Sequence, residues 1–369
     1  MCLDKGNWLY AKEPRHLDRT RDIMETYYDW PPTPVESEEH LKGYLNYVRF
    51  MVRHFKDRVR YFEIWNEWLP HTPEEKLYCK LFKPAVEVVR EEYPEAKIVM
   101  GSRWRRDAEA ILAILDEVGP IFDVVAWHPW YQADVASKDF IEYPGWVRNL
   151  KKDCEARGFR GEYMATEWTW SASYPIPPEQ PIRISEMQKA KYAARLTLTH
   201  LALDVYSFWN ETFQQNIAGY AVGLLRNSFS ASPLNPTQPE PIYYVMRTLS
   251  TVMDEANPAE MKVQISAGFD RPIDGWATPS ADRVEWYAFR KPDGQLMLAL
   301  WTRGHSLDDD SQQVIADVMF PGVKLNKACA IDVLNGTEQS LSVAHDGDNT
   351  VLRSIHIQDW PIIISGSQA

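Results

Sequence analysis

Residues 61–68 read Tyr-Phe-Glu-Ile-Trp-Asn-Glu-Trp (YFEIWNEW), an apolar strand that ends on an amide and a carboxylate. Tyr61, Phe62, Ile64 and Trp65 suit a strand buried on both faces. Asn66 and Glu67 are side chains that a core accepts only when they are paired. Their arrival at the end of the strand points to chemistry at that end of a sheet.

The same pattern recurs along the chain. AKIVMGS (96–102) is a short buried strand, FDVVAWHPW (122–130) a strand that ends on His128, GEYMATEW (161–168) one that ends on Glu167, and DVYSFWNE (204–211) one that ends on Asn210 and Glu211. Between the strands, apolar residues recur at helical spacing: Leu41, Leu45, Val48, Val52 and Phe55 in 37–56, and Leu77, Leu81, Ala85 and Val88 in 73–93. Ile111, Leu112, Leu115 and Val118 do the same in 106–118, and Met187, Ala190, Ala194, Leu198 and Leu201 in 183–203. Helices are also predicted over 145–157 and 240–255. Strands alternating with helices imply a parallel sheet covered by helices. The polar residues gather at the C-terminal strand ends, where a parallel α/β barrel carries its chemistry. A doubly wound sheet would place a Gly-rich phosphate turn there, and no G-x-G-x-x-G or G-K-[ST] occurs.

From about residue 258 the texture changes. RVEWYAFRK (283–291), Pro292-Asp293-Gly294 and QLMLALWT (295–302) read as a hairpin closed by Asp-Gly, and further strand and turn signals follow to the C-terminus. The expected organisation is therefore a barrel-type α/β domain over 1–257 and a β-sandwich over 258–369.

Composition narrows the functional classes. Forty Lys and Arg against 52 Asp and Glu leave a formal charge of −12, which disfavours nucleic acid and anionic membranes as partners. No apolar run approaches the roughly 20 residues of a membrane span. Cys2, Cys79, Cys154 and Cys329 are far apart and lack metal-binding spacing. Reduced thiols and a cytoplasmic location are expected, since the first residues lack signal-peptide form; secretion stays open for a chain without its true N-terminus. Neither cofactor nor metal is expected. Fifteen Trp and 18 Tyr serve a core, or line a site for a ligand with apolar faces and many hydroxyls.

Glu67 and Glu167 each end an apolar strand and each sits beside tryptophans, Trp65 and Trp68 for the first, Trp168 and Trp170 for the second. Retaining glycoside hydrolysis requires two such carboxyls about 5 Å apart across the scissile bond. One must hold a proton for the leaving oxygen, and the other must be ionised to attack the anomeric carbon.

Taken together, the WNE ending at 65–67, ATEW at 165–168, WHPW at 127–130 and FWNE at 208–211 resemble glycoside hydrolase clan A. The run from DWPPTP to FEIWNEW is most similar to family 39-type members, which often carry a C-terminal sandwich. The resemblance covers roughly 5–255 and implies a retaining (β/α)₈ enzyme with catalytic Glu residues on strands four and seven. It implies Glu67 as acid/base, Glu167 as nucleophile, and Asn66 as the partner of the sugar 2-hydroxyl. His128 and Tyr131 match strand-six residues that orient the nucleophile. Trp209 matches the aromatic floor of the first sugar subsite, often beside a non-proline cis peptide. Beside the resemblance, Trp8, Trp104, Trp130 and Trp170 are candidate subsite walls, unranked by the sequence.

Only five strands precede the sandwich, with a sixth in CLDKGNWLY (2–10) that resembles the end of strand three; strands one and two have no counterpart. An incomplete barrel is therefore expected, with a homo-oligomer covering its open side. The expected function is hydrolysis of β-linked oligosaccharides or glycosides by double displacement. The alternative is a non-catalytic carbohydrate-binding or scaffold protein derived from such an enzyme. A metal-dependent hydrolase would want His and Asp clustered at the strand ends, where His128 stands alone.

Overall fold

The computed structural model describes residues 1–4, 35, 37–67, 73–104, 107–131, 138–170, 172–173, 184–210, 212, 216–217, 220–226, 238–267, 284–303 and 313–368. The first part alternates strand and helix: β1 (Cys2–Leu3), α1 (Glu38–Phe55), β2 (Tyr61–Ile64), α2 (Pro73–Glu92), β3 (Lys97–Met100), α3 (Ala108–Val118), β4 (Val124–His128), α4 (Lys138–Ala156), β5 (Glu162–Trp170), α5 (Glu186–Ala202), β6 (Tyr206–Trp209) and α6 (Pro241–Val252). Local chemistry sets the helix ends. Ser37 accepts from His40 N–H at the start of α1, and Asp107 from Ala110 N–H at the start of α3. Ser185 and Gln188 form a reciprocal capping box on α5. Gly119, at φ 71°, ends α3. Helix α4 differs from expectation: it begins at Lys138, not 145, and runs through Pro144. Proline removes one helical hydrogen bond there, while Tyr143, Val147, Leu150 and Cys154 still bury a common face.

The strands form one sheet in the order β1-β2-β3-β4-β5-β6, extended by the two-residue strands Arg103–Trp104 and Trp130–Tyr131. Pairing from β1 to β5 is parallel throughout. Side chains alternate across the sheet. Val99, Val124, Ala126 and Met164 pack together on one face, with Tyr61 against them. Phe62, Ile64, Ile98, Met100, Val125 and Trp127 are buried on the other. Among the described residues the result is an incomplete (β/α)₈-type barrel of six main strands, followed by a β-sandwich. Its edges, among the described residues, are β1 and β6.

The sandwich strands are β7 (Gln264–Ala267), β8 (Val284–Arg290), β9 (Leu296–Thr302), β10 (Val314–Phe320), β11 (Leu325–Asp332), β12 (Glu338–Leu341), β13 (Val343–Asp346), β14 (Asn349–Ile357) and β15 (Ile362–Gln368). One antiparallel sheet runs β8-β9-β15-β11-β12 and begins with a short pair at Asn257–Pro258; the other runs β7-β10-β14-β13. Alternate residues of both sheets, among them Leu298, Leu300, Ala316, Val318, Leu352, Ile357 and Ile364, form the core between them. The predicted hairpin is present, with Gly294 at φ 89° in its turn.

The chain divides into two compact units: Met1–Pro129 with Arg148–Glu167, and Trp130–Val147 with Trp168–Ala369. The second unit holds the sandwich together with α5, β6 and α6. Within it, buried Lys191 of α5 places its Nζ 3.2 Å from each Asp359 oxygen and over the Trp360 ring, and Arg195 Nε donates to Asp359 O at 2.8 Å.

Candidate active site

Four sequence-predicted residues belong to the first unit. Glu67 follows β2, His128 ends β4, Glu167 lies within β5 and Asn66 adjoins Glu67. His128 is buried, 1% exposed, while the side chains of Glu67 and Glu167 are 36% and 28% exposed. His128 Nδ1 lies 2.8 Å from Glu67 Oε1 and 4.0 Å from Glu167 Oε2. One oxygen of each carboxylate and the imidazole nitrogen all fall within 4.8 Å of one another. Two acids a hundred residues apart in sequence thus face each other at the C-terminal rim of the parallel strands. The imidazole's hydrogen bond goes to Glu67, whereas the resemblance pairs this position with the nucleophile.

The backbone around Glu67 is held in a costly shape. Trp65 has φ 73° and Glu67 φ 43°, left-handed conformations that cost a non-glycine residue about 1–3 kcal/mol each. Several contacts hold them there. Trp65 N–H donates to Leu3 O at 3.2 Å, and Asn66 N–H to Asp4 Oδ1 at 3.2 Å. Tyr78 Oη–H donates to Ile64 O at 3.0 Å and accepts from Gly101 N–H at 2.7 Å, clamping the ends of β2 and β3. A Cβ at Gly101 would stand 2.4 Å from Ile64 O and 2.9 Å from Trp65 O, so the turn closes only over a glycine. Ser102 Oγ donates to Asn66 Oδ1 at 3.4 Å, fixing the amide expected to meet a sugar hydroxyl.

A third carboxyl, passed over in reading the sequence, lies deeper. Glu63 is buried, and its Oε1 accepts from Ser102 N–H at 3.1 Å and from Thr166 Oγ1 at 3.2 Å. Burial pushes its pKa above the ordinary carboxylate value, against the opposing pull of His128 and these hydrogen bonds. Its signal was available: Glu63 occupies an inward position of an otherwise apolar strand. Below it, Tyr61 Oη–H donates to Glu162 Oε2 at 2.8 Å and Lys97 pairs with Glu162 at 3.1 Å.

The remaining candidates belong to the second unit. Trp170 is fully buried and stacked on Tyr192 at 4.2 Å, so the expectation that it walls a subsite is corrected: neither ring face is open to a sugar. Trp209 is half-buried and meets Trp168 edge-on at 4.8 Å. No peptide bond among the described residues is cis, so the bond that the resemblance places near Trp209 is not found there. Tyr131 pairs in register with Trp170 through its backbone; its side chain, like those of Trp104 and Trp130, lies outside what is described, as do Trp8 and Glu211.

Comparison with known proteins adds to this geometry. No protein-family model matches the chain, and no curated protein matches it in sequence. Solved structures match its fold. The family 51 arabinofuranosidase of Xanthomonas axonopodis pv. citri aligns at TM-score 0.56 and 12% identity, over 84% of this chain and 66% of that one. CelM2, a bifunctional glucanase-xylanase from a metagenome library, aligns at 0.56 and 12% identity, over 88% and 69%. A monomeric β-xylosidase from Caulobacter crescentus aligns at 0.52 and 13% identity, over 89% and 75%. The chain spans about two thirds of the length of the arabinofuranosidase. Its fold is the one these glycoside hydrolases share, in line with the clan A resemblance of its strand-end motifs.

Proposed function

We propose that the protein is a retaining β-glycosidase acting on β-linked oligosaccharides or glycosides, with Glu67 as acid/base and Glu167 as nucleophile. The observation that carries this reading is the approach of their carboxylate oxygens to within 4.8 Å. A closest approach of this order is what double displacement, with its two carboxyls roughly 5 Å apart, calls for. Glu167 attacks the anomeric carbon while Glu67 protonates the leaving oxygen. Glu67 then takes a proton from the water that opens the glycosyl-enzyme ester. The hydrogen bond from His128 orients Glu67 for both transfers. Asn66 offers its amide to the sugar.

A panel of aryl β-glycosides assayed with the parent protein and Glu167→Gln tests the assignment. Loss of several orders of magnitude in kcat with an unchanged fold is expected; retained turnover in the variant ends it.

One observation favours the alternative of a non-catalytic carbohydrate-binding protein. Among the described residues the sheet has six main strands where a closed barrel has eight, and β6 leaves Tyr206 and Phe208 more than half exposed. We also propose that a second copy of the chain covers this open side, as an edge with exposed aromatic residues demands cover. Light scattering that finds a monomer at micromolar concentration removes that part while leaving the catalytic assignment intact.

A further inference from the structure

We propose that Glu63 is a positioning residue whose one carboxyl oxygen sets the separation of Glu67 and Glu167. This rests on the glycosidase reading of that pair. Glu63 Oε1 takes two hydrogen bonds from two other strands, one from Ser102 N–H just beyond β3 and one from Thr166 Oγ1 on β5. Each partner adjoins the site: Ser102 holds the Asn66 amide, and Thr166 immediately precedes Glu167. Glu63 itself lies four residues before Glu67. A single buried atom therefore joins the strand ends that carry both acids.

The sheet ladder does not supply this restraint. Strand β2 pairs with β1 and β3, and β5 with β4 and β6, so β3 and β4 intervene between the two acids. Twist between neighbouring strands, about 20–25° each, accumulates over that path. A bond across the lumen bypasses it. Two such bonds link β2 to β5, Tyr61 to Glu162 at the lower level and Glu63 to Thr166 at the level next to the site. The lower one is remote from the acids; the upper one is within one residue of Glu167.

Packing alone does not account for a carboxyl here. The neighbouring layer of the lumen is Val99, Val124, Ala126 and Met164, and an apolar side chain at 63 would extend it without the cost of burying an ionisable group. What the carboxyl adds is an acceptor of fixed position between two donors. Catalytic groups must be held to within about 0.5 Å, and a misplacement of about 1 Å can cost about a hundredfold in rate.

The test uses the full chain with Thr166→Val, Thr166→Ser, Glu63→Ala and Glu63→Gln. Thr166→Val is isosteric but lacks the donor, and Glu63→Ala lacks the acceptor. Each should lose on the order of a hundredfold in kcat with KM changed no more than a few-fold. Thr166→Ser and Glu63→Gln restore donor and acceptor and should recover kcat to within about threefold of the parent. The double variant Glu63→Ala/Thr166→Val should lose no more than the worse single one, because both remove the same bond. Unchanged kcat in Thr166→Val, or losses that multiply in the double variant, overturns the proposal. Should Glu63→Ala fail to fold, the two Thr166 variants decide the question. A crystal structure of Thr166→Val reads the same bond without substrate: the Glu67–Glu167 separation should change by about 0.5 Å or more, and an unchanged separation overturns positioning. Full activity in Thr166→Val beside a dead Glu167→Gln removes this inference alone; activity retained in Glu167→Gln removes the glycosidase reading itself.

Discussion

His128 Nδ1 stands between the two acids, 2.8 Å from Glu67 Oε1 and 4.0 Å from Glu167 Oε2. A buried imidazole thus bridges two carboxylates that are each about a third exposed, and its shorter contact selects Glu67. The imidazole is within hydrogen-bond distance of one acid and only near the other, which places two otherwise similar glutamates in different surroundings.

On the proposed assignment, Glu67→Ala removes the proton donor and leaves the nucleophile. Activity should fall by about 10²–10⁴ on glycosides with poor leaving groups and far less on activated aryl glycosides. Steady-state rates plotted against leaving-group pKa read this directly. Equal losses on both kinds of substrate would exclude Glu67 as the acid.

Gly101→Ala should damage the site from outside it. The added methyl meets the backbone oxygens of Ile64 and Trp65, which cannot swing away as a side-chain tip can. Overpacking of this kind costs about 1–3 kcal/mol, and relief requires the left-handed turn at 65–67 to shift. Thermal unfolding should show a lowered Tm, and the folded fraction should show a lowered kcat. A variant with normal values of both would mean that the turn tolerates the change.

His200, fully buried against Tyr143 Oη at 2.8 Å and Ser207 Oγ at 2.9 Å, makes stability depend on pH. Burial lowers its pKa from 6.5 to about 3. The unfolded chain therefore binds the proton more readily, and this contribution is fully present above pH 6.5 and lost as pH falls toward 3. At about 1.4 kcal/mol per pH unit the loss is on the order of 5 kcal/mol. Chemical denaturation at a series of pH values should give a steeper acid loss for the parent than for His200→Asn. Parallel curves would show that another group carries the effect.

Asp359→Ala removes the carboxylate that lies 3.2 Å from the ammonium of Lys191, a side chain 2% exposed. Removing one partner of such a pair costs about 3–5 kcal/mol, and Tm should drop accordingly. Lys191→Met/Asp359→Leu, which removes both charges, should recover much of the loss. If the single variant is as stable as the parent, the pair contributes nothing to the second unit.

Much of the fold is written locally. The alternation of buried strands with helical stripes and the hairpin at Asp293-Gly294 appear where the sequence places them, and the caps Ser37, Asp107 and Ser185 at helix starts and Gly119 at a helix end likewise act within a few residues. Helix α4 departs because a buried face outweighs the single hydrogen bond lost at Pro144.

By itself, the sequence determined that the strands are parallel, that their C-terminal ends carry Asn66, Glu67, His128 and Glu167, and that the parallel part gives way to antiparallel strands. Periodicity and turn chemistry are enough for this. Only the tertiary structure decided which of those ends meet. It placed His128 on Glu67, set Glu63 across the lumen against Thr166, and withdrew Trp170 into a stack on Tyr192. The physical reason is that strand pairing and sheet curvature join residues some sixty to a hundred positions apart, whereas a local pattern states only which face a side chain takes, not what stands opposite it.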